Sequence, residues 1–421
     1  MATVRRLQAE NTKSDRLMRI GILFPEVFRP SRDVDSKHVW NIACGLKRAG
    51  ADVVLLTTCD PEVVSETDDS VRPARIACAA CAPIPASNVP YFGAFLDAWR
   101  GRALEALLQR LHREEALDAL LVYHQRYATY YRALRYCARH QISVYCNLVE
   151  WYPFRLRRLL RHQWLDQLLF RLLVVTASSG AIPIATAWKS FLDSHSVPYI
   201  LIPALSDDVL RPTMKRHDRS CLILTYIGSL AQKDLPEVMV EGVRRARSSG
   251  VPVRLRIVGR HDRFATGKRL MRRVKLHQEL GECVEFTGWV EQDELLRRLD
   301  DSDAFVLLRA ADWGAVACFP TRVPELLLTS KPLILSGSGD FPLYFADRIN
   351  AVLLGSGDQS DQLASAISFL HRDPISADRI GQAGAKTALA DFSYRENGVK
   401  LLAFMSAHLR LLATVHAYTK L

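Results

Sequence analysis

The chain has 421 residues, 49% of them hydrophobic and 24% charged, a balance typical of soluble globular proteins and enough for two or three domains of about 150 residues each. Lys and Arg outnumber Asp and Glu by 56 to 45, a formal charge of +11. This excess forms no basic tail and no Arg/Lys block interleaved with aromatics, which argues against nucleic acid and favours anionic small molecules or an anionic membrane surface.

The first 18 residues are polar and charged, without the apolar core of a secretory leader. No run of about 20 apolar residues follows, so a cytoplasmic protein without membrane spans is expected. Residues 19–25 (RIGILFP) read as a buried strand. Residues 36–49 read as a helix with Val39, Ile42, Ala43 and Leu46 on one face, stopped at Gly50. Strand 52–56 then completes a βαβ unit, which predicts a parallel sheet with right-handed crossovers. The nine cysteines are scattered through apolar stretches and read as reduced, buried thiols. Cys78 and Cys81 form one isolated CxxC with no second pair, so no metal site is expected there.

The alternation continues with helix 94–116, strand 119–123, a helix near 128–140 and strand 142–148. Residues 154–172 (FRLRRLLRHQWLDQLLFRL) carry an i, i+4 stripe of Leu156, Leu160, Trp164, Leu168 and Leu172. Arg155, Arg157, Arg158, Arg161 and His162 make a basic side near its start. This pattern suits either a helix lying on an anionic membrane or a domain helix with a solvated basic face. Residues 203–220, rich in Pro, Asp and Lys/Arg, read as a linker. A second series follows, with strands at 222–227, 253–258, 284–286, 304–308, 332–335 and 351–354. Helices are predicted near 234–248, 266–279, 291–300, 322–329, 358–371, 376–390 and 394–415. The fold class is α/β: two Rossmann-like, doubly wound halves with a cleft between them.

Ligands of doubly wound sheets bind beyond the carboxyl ends of the strands. Four such ends in the second half carry suggestive residues. Gly228 allows a close turn after the strand at 222–227, and Lys233 just before the next helix can place a point charge on a phosphate. Taken alone, Lys233 is more often a surface lysine at a turn. Gly259 and Arg260 follow the next strand, and Thr287-Gly288-Trp289-Val290 forms a turn that could wall a nucleobase. The most specific stretch is Phe319-Pro320-Thr321-Arg322-Val323-Pro324-Glu325, a basic turn opening a helix with a carboxylate in its first turn. Such a start offers backbone N–H groups to an anion, and the carboxylate can accept hydrogen bonds from a ribose diol. Arg309, ending the strand at 304–308, points toward the same rim.

In this order, these segments resemble the retaining GT-B glycosyltransferases of family four, over roughly residues 19–415. Cys318–Ser336 is similar to the GFPTKLPEYLASGKPVI variant of that family's donor-site motif, and Val149-Glu150-Trp151-Tyr152 to a VEWY element of polysaccharide-type members. The resemblance implies a polar segment 1–18, an acceptor domain 19–205, a donor domain 206–393 and a last helix 394–421 returning toward the first domain. It implies sugar transfer from a nucleotide-sugar such as a UDP- or GDP-sugar to an acceptor hydroxyl of a glycan or lipid-linked intermediate. Anomeric configuration would be retained and no divalent metal required. Glu325 matches the ribose-binding glutamate and Lys233 the diphosphate lysine. Ser229 stands where many members have an arginine, and Gly259 and Val290 fall near the nucleobase. Phe319, Pro320 and Thr321 match the loop whose amides face the donor. Arg309 or Arg322 would add charge for the leaving diphosphate. The first of the family's two glutamates, eight residues apart, falls on Ala317, which leaves the donor sugar open.

On the acceptor side, Glu150 follows a strand end, where relatives place a residue close to the reacting sugar. Its other reading is a loop carboxylate paired with a nearby Arg. His38, with the loop 29–37, and His124 also follow strand ends and would face the cleft. A lone histidine is more often structural. Two other readings stand beside transfer: another GT-B enzyme such as a sugar-nucleotide epimerase, and a non-catalytic GT-B scaffold favoured by Ala317 and Ser229.

Overall fold

The computed structural model describes residues 16–25, 28, 34–57, 75–78, 92–123, 126–151, 162–211, 220–231 and 233–409. The first domain holds β1 (Arg19–Phe24), β2 (Asp52–Thr57), β3 (Arg75–Cys78), β4 (Ala119–Tyr123), β5 (Ser143–Leu148) and β6 (Gly180–Pro183). These form one six-stranded sheet in the order β3-β2-β1-β4-β5-β6, parallel throughout. The second domain holds β7 (Leu222–Ile227), β8 (Val253–Val258), β9 (Val284–Gly288), β10 (Ala304–Leu307), β11 (Leu333–Ser336) and β12 (Val352–Leu354). Its order is β12-β11-β10-β7-β8-β9, again parallel.

The two sheets share one topology. In each, the strand order reverses beside the first strand, between β1 and β4 and between β7 and β10. A crevice opens at the carboxyl ends of such a pair. The strands are apolar runs because helices cover both faces: every residue of β1, β4 and β10 is buried.

Helix Val34–Arg48 buries Val39, Ile42, Ala43 and Leu46, the face its sequence spacing predicts. Asp35 in its first turn and Lys47 and Arg48 in its last oppose the helix dipole favourably. Gly50, at φ 101°, ends it in a conformation that glycine adopts without a Cβ penalty.

The last helix, Tyr394–His408, is capped by Ser393, whose hydroxyl accepts from Arg395 N at 3.1 Å and Glu396 N at 3.3 Å. It crosses back onto helix Val34–Arg48. The crossing point is a glycine pair: a Cβ on Gly45 would lie 2.3 Å from the Tyr394 carbonyl oxygen, and one on Gly398 2.3 Å from the Gly45 backbone. Tyr145 Oη of β5 donates to the Met405 carbonyl at 2.6 Å. One apolar cluster consequently includes Ile20 and Phe24 of β1, Leu224 and Phe305 of the second sheet, and Leu401 and Met405 of this helix.

Several elements differ from the sequence expectation. β3 and β6 are four-residue strands that the reading passed over. β6 (GAIP) contains both Gly and Pro and lies at a sheet edge, where a missing donor is tolerated. Helix 322–329 closes two residues early, as Arg322–Leu327. The amphipathic stretch is only partly described, from His162 onward, and it is not one regular helix. Helix His162–Leu169 passes into a π-helical turn, Phe170–Val175. The wider turn shifts the phase of the apolar face. Phe170, Val174 and Val175 are buried, while Leu165 and Leu172 are 50% and 46% exposed.

Candidate functional site

The exits of β7, β8 and β9 are joined through three glycines. Gly228 N donates to the Val258 carbonyl at 2.9 Å, and Gly259 N to the Gly288 carbonyl at 2.8 Å. A Cβ on Gly228 would lie 2.1 Å from Tyr226 Oη, and one on Gly259, at φ 128°, 2.3 Å from the Gly228 carbonyl oxygen. The backbone at these strand ends is therefore bare and closely stacked. Ser229 beside them is half-buried, and Leu230 is held at φ 52° although its side chain is fully buried. A left-handed leucine persists only where packing over-determines it. Farther along the same rim, Val290 is half-buried and Arg260 exposed.

Lys233 stands where β7 and β10 diverge. Its carbonyl accepts from Ala310 N at 3.0 Å, and Leu235 N donates to the Leu308 carbonyl at 3.0 Å, which ties this loop to the β10 exit. Its ammonium reaches out of its own domain, to Glu150 Oε1 at 3.1 Å. Cys318 Sγ lies 3.8 Å from the same nitrogen. Burial works to lower the Lys233 pKa, but the Cys318 sulfur and the Glu150 carboxylate outweigh it and hold the group above its ordinary value. Glu150 thus has a cationic partner in Lys233, across the cleft.

Arg309 is 4% exposed. Its Nη2 donates to the Ala315 carbonyl at 3.0 Å and lies 2.9 Å from Cys318 Sγ, while Nε is buried with no partner among the described residues. Arg322 is engaged with the first strand of its domain: Nη1 donates to the Ile227 carbonyl at 2.6 Å. The Arg309 guanidinium is therefore buried against the loop 315–318, while Arg322 is half-buried with one nitrogen tied to the β7 exit.

Glu325 lies in the first turn of helix Arg322–Leu327, whose start at Thr321 has no side-chain cap. Its carboxylate meets Lys37 Nζ, from the first helix of the other domain, at 2.5 Å. Pro320 and Thr321 are half-buried. Phe319 is a core residue, its ring 5.5 Å from Phe341 and 5.4 Å from Phe392. Ala317 is fully buried.

His38 is buried on the first helix, with its ring 5.9 Å from Tyr123 at the end of β4. That places it under the rim of the first sheet, not on it. His124 and residues 29–33 lie outside the described residues, as does Cys81 of the CxxC. The thiols of Cys44 and Cys146 are each pushed up to about 12 by burial, as inert core cysteines are. Among the described residues, no cluster of three His, Cys, Asp or Glu could hold a metal, and no helix is long and apolar enough to cross a membrane.

Sequence reasoning missed three features. Lys37 was named only as part of a loop, and nothing in its surroundings signals a partner 288 positions later. Cys318 sits between two cations. Trp313 and Trp151 meet across the domains at 5.8 Å. The doubled tryptophan-bearing strand exits were the available signal for the last.

Residues 221–373 match the family described as Glycosyl transferases group 1. That span contains every donor-side residue discussed above, from Gly228 to Glu325. Over 183 residues the chain is 25% identical to the amylovoran biosynthesis glycosyltransferase AmsK of Erwinia amylovora, a match covering 42% of this chain and 44% of that protein. The chain thus spans less than half the length of this curated relative. Among solved structures, sucrose-phosphate synthase from Thermosynechococcus elongatus is similar at a TM-score of 0.68 and 16% identity, over 94% of this chain and 100% of that one. Anabaena HepE in complex with UDP is similar at 0.65 and 15%, over 93% and 100%. With its two six-stranded parallel sheets, the chain has the two-domain GT-B fold.

Proposed function

We propose that this chain is a retaining glycosyltransferase that takes a nucleotide-sugar on its second domain and transfers the sugar to an acceptor hydroxyl without a divalent metal. The observation that carries this reading is the family match over residues 221–373, the span in which Gly228, Gly259, Lys233 and Glu325 line adjoining strand exits. HepE, a structure of the same fold, is described in complexes with UDP and with UDP-glucose, which supports a uridine nucleotide as the first donor to try.

In this reading, Glu325 exchanges Lys37 for the ribose diol, and Lys233 exchanges Glu150 for the diphosphate. The close stacking of Gly228 and Gly259 brings the β7 and β8 exits together beneath the nucleotide. As the anomeric C–O bond breaks, the departing diphosphate gains negative charge. Once it has exchanged Glu150 for the diphosphate, the Lys233 ammonium would stabilise that charge directly. The acceptor oxygen attacks from the leaving-group face and gives its proton to the departing phosphate oxygen, so no protein nucleophile is needed. Glu150, released from Lys233, is then a carboxylate beside an oxocarbenium-like sugar. Buried Arg309 and half-buried Arg322 hold the loops in register.

Calorimetric titration with UDP, GDP, UDP-glucose and GDP-mannose tests the reading. Binding of at least one nucleotide, followed by sugar release from its conjugate, is the expected result. Failure of every nucleotide to bind would remove the enzyme reading and leave a GT-B scaffold. The stretch 154–172 is proposed to bring the protein to anionic membranes and a lipid-linked acceptor, supported by the exposed Leu165 and Leu172. Cosedimentation with phosphatidylglycerol vesicles, absent with neutral vesicles, is the expected result.

A further inference from the structure

Beside the charged cleft lies a groove of about 520 Å³, walled by Trp313 of the second domain and by Thr186, Lys189, Ser190 and Asp193 of the first. The groove is shallow and open to solvent, lined by exposed side chains. Trp313 is 45% exposed, yet its indole is not loosely held. Asp312 caps its short helix by accepting from Ala315 N at 2.9 Å. The edge of Trp151 meets it at 5.8 Å and 84°. Trp151 is in turn fixed by buried Trp188 at 4.5 Å and by the Arg171 guanidinium 4.6 Å from its ring. The facing wall is fixed as well. Thr186 N donates to Asp340 Oδ2 of the second domain at 2.7 Å, which sets the width of the groove.

A rigid, half-exposed indole opposite the Ser190 hydroxyl, the Thr186 hydroxyl (which donates to Asp340 and keeps its acceptor side), an ammonium and a carboxylate suits one ligand chemistry. A pyranose has an apolar C–H face that lies on an aromatic ring, and a rim of hydroxyls that each donate and accept. Lys189 and Asp193 cancel in charge, so nothing here selects a phosphate or a nucleotide. Trp151 directly follows Glu150, whose carboxylate meets Lys233, so the groove adjoins the proposed reaction centre. We infer that the groove binds a saccharide, with one pyranose ring stacked on Trp313 and its hydroxyls turned to Thr186, Lys189, Ser190 and Asp193, and that this is where the acceptor glycan sits. The word acceptor rests on the glycosyltransferase reading; saccharide binding does not.

Saturation-transfer NMR on the full chain, with methyl β-glucopyranoside, methyl β-galactopyranoside, cellobiose and lactose as probes, tests this. At least one probe should be saturated along a single ring face. Its Kd should rise about tenfold in Trp313→Ala and much less in Trp313→Phe. Ser190→Trp, at an exposed helical position that fills the groove, should abolish the signal without unfolding the chain. UDP affinity should stay unchanged in all three variants. Absence of any probe binding, or binding indifferent to both Trp313→Ala and Ser190→Trp, overturns the inference. Trp313-dependent saccharide binding in a protein that fails to bind UDP upholds the groove and removes the glycosyltransferase reading instead.

Discussion

Glu325 and Lys233 each face a charge brought by the other domain, and their expected phenotypes differ for that reason. Glu325 is about one-third exposed and contributes to no core, so Glu325→Gln should leave thermal stability nearly unchanged. Its effect should fall on the ribose diol: UDP affinity by calorimetry is expected to drop at least tenfold, about 1.4 kcal/mol. Unchanged affinity would show that the ribose sits elsewhere. Lys233→Met should instead act on turnover, with a loss of about 10²–10³ in kcat and a smaller change in donor Kd, as for other groups that meet charge developing in the transition state. Another carboxylate concerns stability alone. Glu241 accepts from Arg244 at 2.7 and 3.0 Å and from Arg245 at 2.9 Å. The Arg244 hydrogen bonds, helped by Arg245, outweigh burial and hold its pKa down at about 2. A depressed carboxylate stabilises the fold above its unfolded pKa and loses that contribution as pH falls from about 4.5 through about 2. After solvent screening this is worth about 1 kcal/mol. Urea unfolding of Glu241→Gln should therefore show a loss of that size at pH 7 and a much smaller one at pH 2. Of these residues, Lys233 and Glu325 were legible because their types are tied to nearby turns and helix starts. Glu150 was legible too, from its place after a strand end, but Lys37 and both pairings were not, since an ion pair across domains leaves no local pattern.

At the scale of elements, the long alternating segments were legible and the short ones were not. The apolar face of Val34–Arg48 and the strands β1, β4, β7 and β8 follow from periodicity and unbroken apolar runs. β3, β6 and the helix Trp313–Val316 are four residues each, too short for any period to emerge. The π turn at Phe170–Val175 defeated a stripe read at helical spacing, because i→i+5 bonding rotates every later side chain. The crossing of Gly45 and Gly398 makes a sharper demand. A methyl group at Gly45 would meet the Tyr394 backbone, which cannot swing aside as a side chain tip could. Gly45→Ala should therefore cost about 1–3 kcal/mol through overpacking. A melting temperature lower by a few degrees, with earlier proteolytic release of the last helix, is the expected outcome. Wild-type stability in this variant would mean that the two helices can part without loss.

At the scale of the whole molecule, Lys37–Glu325 and Lys233–Glu150 tie the two domains across the cleft with opposite polarity. Each pair is partly exposed and worth about 0.5–1 kcal/mol. Each also occupies a group that the proposed donor needs. Lys37→Met should then free Glu325 and tighten UDP binding by roughly threefold to fivefold. The salt dependence of Kd should shrink with it, because one competing ion pair is gone. Weaker UDP binding would mean that Lys37 itself holds the nucleotide. The sequence by itself determined the α/β class, two successive doubly wound halves and the strand exits that carry Gly228, Lys233, Gly259 and Glu325. Those follow from local physics: side-chain period, turn chemistry and helix starts act over a few residues. Only the tertiary structure decided that Arg309 is buried against Ala315 and Cys318, that Arg322 bonds the Ile227 carbonyl, that Phe319 belongs to an aromatic core, that His38 is buried beside Tyr123, and that Trp151 and Trp313 meet. Those outcomes depend on which distant surfaces the crossing of the last helix brings together, and contacts between residues hundreds of positions apart are fixed by packing rather than by neighbours in the chain.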